Sequence, residues 1–187
     1  MDAIVKRIIK QVKKGDHNAF GEIVELYKDK VYHISYRMLG NKQEAEDVAQ
    51  EAFIRAFTNI DRFEINRKFS TWLYRIATNL AIDRLRKKRP DYYLDAEIAG
   101  TEGLTMYSQL AANEELPDEK VVSIETQQGI QQEILNLPPK YRSAIILKYI
   151  QELSLKEISE ILELPVATVK TRIHRGREAL RKRLRNG

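Results

Sequence analysis

The chain has no cysteine. That excludes disulfide scaffolds, thiolate zinc sites, iron–sulfur clusters and cysteine nucleophiles. No apolar run approaches the ~20 residues of a membrane span, so direct membrane insertion is not expected. The opening residues, MDAIVKRIIKQVKKGD, thread lysines through an apolar pattern and offer no small-residue cleavage site. They do not read as a signal peptide, and the expected compartment is the cytoplasm. Glycine and proline are scarce, eight and five in 187 residues, so each reads as punctuation. Period-2 alternation is missing at strand length, and no internal repeat is visible. What is present is helical periodicity in both halves, with 43% hydrophobic residues to build cores. The length suits one domain or two small ones.

Charge divides the chain more sharply than the net value of +5 suggests. Residues 1–61 are neutral, with ten cations and ten anions. Residues 62–93 carry nine cations against three anions, and residues 94–125 one cation against eight anions. Residues 126–164 are near neutral, and residues 165–187 carry eight cations against one anion. Two basic stretches, apart in the chain, suit a protein with two anionic sites to hold. The expected architecture is all-α: one small helical domain at 1–93, an acidic linker at 94–125, and a second small helical domain at 126–187.

In the first module, residues 44–60 predict an amphipathic helix. Ala49, Phe53, Ala56, Phe57 and Ile60 share one stripe, expected to face inward. Asp47, Gln50, Glu51 and Ile54 share another. That second stripe has three readings: a solvated face, a carboxylate metal site, or a docking surface for a basic partner. The metal reading lacks a histidine or a second carboxylate helix to complete the ligands. Downstream, Ser70 is the expected N-cap of a helix with Leu73, Ile76, Ala77 and Leu80 inward. Arg75, Asn79, Asp83 and Arg86 then face outward. Phe63, Phe69, Trp72 and Tyr74 are interleaved with Arg62, Arg67 and Lys68. Aromatic faces for bases beside cations for the backbone are what single-stranded nucleic acid binding requires. Phe69 and Trp72 also suit a core. Phe63, in the polar run FEINRK, suits it less and is expected at the surface.

The second module is more specific. Ser154 and Glu157 fit a capping box before the apolar stripe Leu155, Ile158, Ile161 and Leu162. Glu163 and Leu164 make a turn, and Pro165 stands where a second helix begins. In that helix Val169, Ile173, Gly176 and Leu180 face inward, and Lys170, Thr171, His174 and Arg175 outward. Arg172 and the later cations surround them. This is a helix-turn-helix whose second helix suits a major groove. His174 has no companion ligand in the sequence, so no metal role follows. No cofactor motif and no catalytic constellation is found.

Taken together, DVAQEAFIRAF, FSTWLYRIATNLAIDRLRK, LPPKYRSAIILKYIQELSLKEISEIL and PVATVKTRIHRGREALRKRL resemble a bacterial sigma factor of the extracytoplasmic-function (ECF) group of the sigma-70 family. The likeness extends over nearly the whole chain. The segment PDYYLDAEIAGTEGLTMYSQ resembles the linker of one member of that group in particular. Ser159 and Glu163 depart from the small Ala and turn Gly that many helix-turn-helix motifs carry. The resemblance implies two conserved sigma domains, regions 2 and 4, and no catalysis. It implies core RNA polymerase as partner, docked through its clamp coiled coil on Asp47, Gln50 and Glu51 and also through its flap. Phe63 and its loop, including Arg67 and Lys68, with Asn79, would capture an unstacked base of the −10 strand, and Arg75 and Arg86 would hold adjacent backbone. Lys170, Thr171, Arg172, His174 and Arg175 would bind the −35 element as duplex. A membrane-anchored anti-sigma factor would hold the protein inactive until envelope stress releases it.

The linker is open to a physical check. Elements centred ~25 bp apart lie roughly 85 Å apart at ~3.4 Å per base pair. A 32-residue chain reaches roughly 105 Å fully extended but averages only ~30 Å as a flexible coil. Polymerase would therefore have to hold the modules apart, and the acidic linker would suit a basic polymerase channel. Two other classes remain for test. A free-standing helix-turn-helix repressor or activator explains residues 126–187 but not FEINRKFSTW. A carboxylate-metal nuclease around Asp47 and Glu51 predicts metal-dependent cleavage.

Overall fold

The computed structural model describes residues 2–88 and 124–186. All but the last two residues of the expected linker, 94–125, lie outside them, and so does its acidic path. The chain divides into two compact units, Met1–Asp83 and Arg84–Gly187. Among the described residues every regular element is helical.

Four helices build the first part: α1 (Asp2–Lys13), α2 (Phe20–Leu39), α3 (Lys42–Thr58) and α4 (Phe69–Lys88). In α1 the apolar residues Val5, Ile8, Ile9 and Val12 recur at i, i+3, i+4 and i+7, and all four are buried. In α2 the buried stripe is Ile23, Tyr27, Val31, Ile34 and Met38. Gly40 ends it at φ 70°, donating its N–H to the Tyr36 carbonyl at 2.7 Å. This left-handed position favours glycine. Asn41 caps α3, its Oδ1 accepting from the Glu44 N–H at 2.9 Å.

The inward face of α3 differs from the sequence expectation. Ala45, Val48, Ala52 and Ala56 are buried, whereas Ala49 and Phe53 are only half-buried. Phe57 is exposed, its ring edge-on to Phe20 (5.3 Å) and His17 (5.4 Å). α3 packs against α2, and a stripe of small residues allows close approach of two helix axes. The bulky rings stand at the edge of that contact.

α4 also starts earlier than expected. Ser70 is not its N-cap; it lies buried within the first turn. The Lys68 carbonyl accepts from the Trp72 N–H at 3.4 Å, which places Lys68 at the helix entrance. Leu73 and Ala77 are buried as expected, but Ile76 and Leu80 are half-buried, and Tyr74, Thr78 and Ala81 complete the inner face.

The second part holds α5 (Ile124–Leu135), α6 (Pro139–Ile145) running into a π-helical turn (Ile146–Ile150), α7 (Leu155–Leu162) and α8 (Val166–Asn186). The Pro138–Pro139 pair separates α5 from α6, with Pro139 at the first helical position. Arg142 is buried and uses its guanidinium as a clamp. Its Nη2 donates to the carbonyls of Leu135 (2.6 Å) and Leu137 (2.9 Å), and Nε donates to Leu137 (3.2 Å). Carbonyls that the end of α5 leaves open are thereby satisfied.

α7 carries the expected cap. Ser154 Oγ accepts from the Glu157 N–H at 3.1 Å and donates to the Glu157 carboxylate at 3.2 Å. The turn makes use of both departures noted in the sequence. Glu163 takes the left-handed conformation, φ 56°. Ser159 Oγ donates to the Leu164 carbonyl, while the Leu164 N–H donates back to the Ser159 carbonyl at 3.1 Å. Pro165 is one residue earlier than expected: its carbonyl accepts from the Val169 N–H at 3.1 Å, so it caps α8 rather than opening it. Where α8 crosses α6, Gly176 is required by space. A Cβ there would meet Ile145 Cγ1 at 2.7 Å.

Candidate nucleic-acid interface

Three groups of residues predicted from the sequence are brought to three places. On α3, Asp47 and Gln50 are exposed and Glu51 is half-buried, with Ile54 beside them at 52% exposure. Glu51 is held by Arg55, one turn on, at 3.0 Å. The stripe is a polar, net acidic face with one apolar side chain.

The second place is the loop before α4. Phe63 corrects the sequence expectation: it is buried, 3% exposed, not a surface ring. Its ring meets Phe69 edge-on at 5.4 Å and Trp72 at 5.1 Å. Phe69 in turn meets Tyr27 at 5.7 Å. The polar neighbours of Phe63 concealed a hydrophobic anchor that draws the loop onto the core. Arg67 and Lys68 are exposed, and Arg67 pairs with Glu64 across the loop at 3.1 Å. Along α4, Asn79 and Arg86 are exposed and Arg75 half-exposed, at spacings of four and seven residues. They form one face, as predicted.

Two features of this place were not read from the sequence. Lys13, on α1, donates to the Phe63 carbonyl at 2.5 Å. Beside the loop, Phe63, Arg67, Lys68 and Phe69 share an open-sided cavity of about 140 Å³ with residues of α1. Contacts between residues fifty positions apart leave no local signal. The nearest hint was α1's lysine-rich polar side.

The third place is the start of α8. Lys170, Thr171 and Arg172 are partly exposed. Thr171 turns its hydroxyl back to the Ala167 carbonyl at 3.0 Å. His174 corrects the prediction: it is 7% exposed and belongs to the buried side. Arg175 is half-buried, with Nη1 at 3.5 Å from the Tyr141 hydroxyl. The outward surface instead continues toward the helix entrance, through exposed Val166 and Ala167. The signal for these was positional: a recognition helix presents its first turn to bases.

Residues 23–90 match the Sigma-70 region 2 family, and residues 127–180 match Sigma-70, region 4. The chain is 71% identical over 186 residues, spanning all of both proteins, to the ECF RNA polymerase sigma factor SigW of Bacillus subtilis. The chain belongs to the ECF group of sigma factors. SigW is also the member whose linker the segment at 90–109 resembles. Among solved structures, this sigma factor is similar to CnrH in complex with the cytosolic domain of CnrY. The TM-score is 0.70 at 23% identity, covering 97% of each chain. It is also similar to the sigma factor RpoE of Bartonella quintana in complex with the anti-sigma factor NepR. There the TM-score is 0.65 at 20% identity, covering 89% of this chain and 96% of that one. Those two likenesses establish the fold. A sigma factor directs RNA polymerase in transcription initiation and is not an enzyme. The nuclease reading of Asp47 and Glu51 therefore falls, and so does that of a free-standing repressor. Among the described residues, no helix is long and apolar enough to cross a membrane.

Proposed function

We propose that this sigma factor directs core RNA polymerase to promoters by reading the −35 element as duplex and the −10 element as unstacked single strand. The observation that carries this reading is the capped α7–turn–α8 unit, whose first α8 turns leave Val166 and Ala167 exposed and Lys170, Thr171 and Arg172 partly exposed. A helix of this kind suits the major groove: cations for phosphates and guanine, small apolar side chains for thymine methyls. Arg175, half-buried beside Tyr141, would reach the DNA backbone. His174 is left out of the reading set because it is buried.

The −10 strand is assigned to the other basic face. Arg67, Lys68, Arg75 and Arg86 would neutralise its backbone, and Asn79 would meet a base edge. Phe63 acts from beneath, as the buried anchor that holds this loop in place. Asp47, Gln50 and Glu51 form the docking face for the clamp coiled coil of polymerase, with Ile54 as its apolar contact, while the flap meets the second unit. An anti-sigma factor anchored in the membrane holds this cytoplasmic protein until envelope stress releases it. Two proteins of this fold, CnrH and RpoE, were solved with the cytosolic domain of CnrY and with the anti-sigma factor NepR, which suits a protein partner of that kind.

The test is run-off transcription with core polymerase on fragmented genomic DNA, with start sites mapped. Discrete starts preceded by a shared pair of elements are expected. Asp47→Arg should abolish polymerase binding while the protein still binds −35 duplex. Normal transcription by Asp47→Arg would overturn the docking assignment. Absence of any factor-dependent start would overturn the reading as a whole.

A further inference from the structure

We propose that the outward face of α1 binds the phosphate backbone of the separated strand where it runs on past the −10 element, through Lys6, Arg7, Lys10 and Lys14. This rests on the assignment of the loop before α4 to the −10 strand. It goes beyond that assignment, because it adds a third basic surface on a helix outside residues 62–93.

Residues 1–61 are neutral by count, yet five of their ten cations lie on α1 or directly after it: Lys6, Arg7, Lys10, Lys13 and Lys14. At 3.6 residues per turn they occupy about 120° of the circumference, away from buried Val5, Ile8, Ile9 and Val12. All five are exposed. Lys14 keeps to the face because its N–H still donates to the Lys10 carbonyl at 3.1 Å. The one acid of the helix, Asp2, stands at its start.

Three exposed cations elsewhere in this part are matched by an acid about one turn away. Lys28 meets Glu25 at 2.9 Å, Arg55 meets Glu51 at 3.0 Å, and Arg67 meets Glu64 at 3.1 Å. Among the described residues, Lys6, Arg7, Lys10 and Lys14 enter no ion pair. Lysines four residues apart, as 6, 10 and 14 are, repel one another and weaken the helix. A face that bears this cost without internal relief suits an external polyanion. An anionic lipid surface fits poorly, since it would need the apolar side of the same helix. That side is committed to the core, with Val5, Ile8, Ile9 and Val12 at most 2% exposed.

Nucleic acid fits by continuity. Lys13 donates to the Phe63 carbonyl, and Lys6 borders the same cavity as Arg67 and Lys68. The face of α1 therefore adjoins the cations of the loop. A strand crossing the loop passes from the cations of α4 to those of α1. Lys6 to Lys14 spans about 12 Å at 1.5 Å per residue, which matches about three or four phosphates at ~3.4 Å per nucleotide.

The test uses holoenzyme assembled from the full chain and core polymerase. Fork templates carry duplex through the −35 element and a single-stranded −10 element, which either ends there or continues for four nucleotides. At low salt the extension should tighten wild-type binding by about tenfold. The combined variant Lys6→Gln, Arg7→Gln, Lys10→Gln and Lys14→Gln should lose most of that gain. Its slope of log affinity against log salt on the extended template should fall by about two to three. Its affinity for the short template and for core polymerase should match wild type. Its melting temperature should be equal or higher, because the repulsion along α1 is gone; a merely structural role would lower it. Lys28→Gln, on α2, is the control and should retain the gain. A full gain in the α1 variant would overturn the proposal. Weaker binding of core polymerase by that variant would also overturn it, and would give the face to an acidic protein surface. If Arg67→Ala with Lys68→Ala bound the short template as wild type does, the loop assignment itself would fall, and this inference with it.

Discussion

The two basic surfaces are built on opposite plans. At the start of α8 the side chains proposed to read DNA stand on a helix, and the helix itself fixes their spacing. Beside α4 they stand on a loop, and the loop is fixed by what lies beneath it. Phe63, Phe69 and Trp72 pack ring against ring, and Lys13 ties the loop to α1. A helix reader tolerates change at any one exposed side chain. The loop proposed as the other reader depends on a buried anchor, Phe63. Geometry suits the task in each case: duplex grooves accept a rigid rod, whereas an unstacked base needs a concave seat.

The sharpest way to break this comparison is Phe63→Ala. Loss of its ring contacts should cost about 3 kcal/mol or more, and −10 opening should fail while −35 binding persists. Trp72 is the only tryptophan in the chain, so urea unfolding followed by its fluorescence reports the first unit directly. Next in size is Gly176→Ala. Its Cβ would press on Ile145 at 2.7 Å, and overpacking should outweigh the gain in helix propensity, for a net loss of about 1–2 kcal/mol. Circular dichroism melting would measure it, and in an Ile145→Ala background the further loss from Gly176→Ala should be smaller, as a double-mutant cycle would read.

Two smaller effects sharpen the contrast between exposed and buried positions on α8. Lys170→Ala should weaken −35 binding several-fold and lower the slope of binding against salt by about one, without altering the melting temperature. His174→Ala should do the reverse, lowering stability while leaving the salt slope unchanged. Titration at several salt concentrations distinguishes them. Ser159→Ala removes the hydroxyl bond to Leu164 that closes the turn, and should cost about 1 kcal/mol by thermal unfolding.

The pattern of what was legible follows from the same contrast. Helical period and the Ser154–Glu157 cap are local signals, and they placed α7 and the start of α8 to within a residue. The Asp47–Gln50–Glu51 stripe was legible for the same reason. His174 and Phe63 were misassigned because burial is decided by distant partners. A basic helix has an outward side, but its width depends on what packs against it. A phenylalanine among charged residues gives no local sign that Phe69 and Trp72 await it. The alanine face of α3 was missed because small residues carry little hydropathy, although it is their smallness that brings α2 close.

The bond between Lys13 and the Phe63 carbonyl also bears on how the molecule assembles. It joins residues fifty positions apart, so the intervening helices must be in place before the two ends meet. Closing a loop of that size carries an entropic cost that local helix formation does not, and long-range contacts of this kind slow folding. The loop proposed to hold the −10 strand should therefore be completed late, after α2 and α3 have paired. Its amides should exchange with solvent sooner than those of the α2–α3 pair, and those of α1 should exchange together with the loop. A nascent chain would hold a formed α2–α3 pair before it could read a promoter.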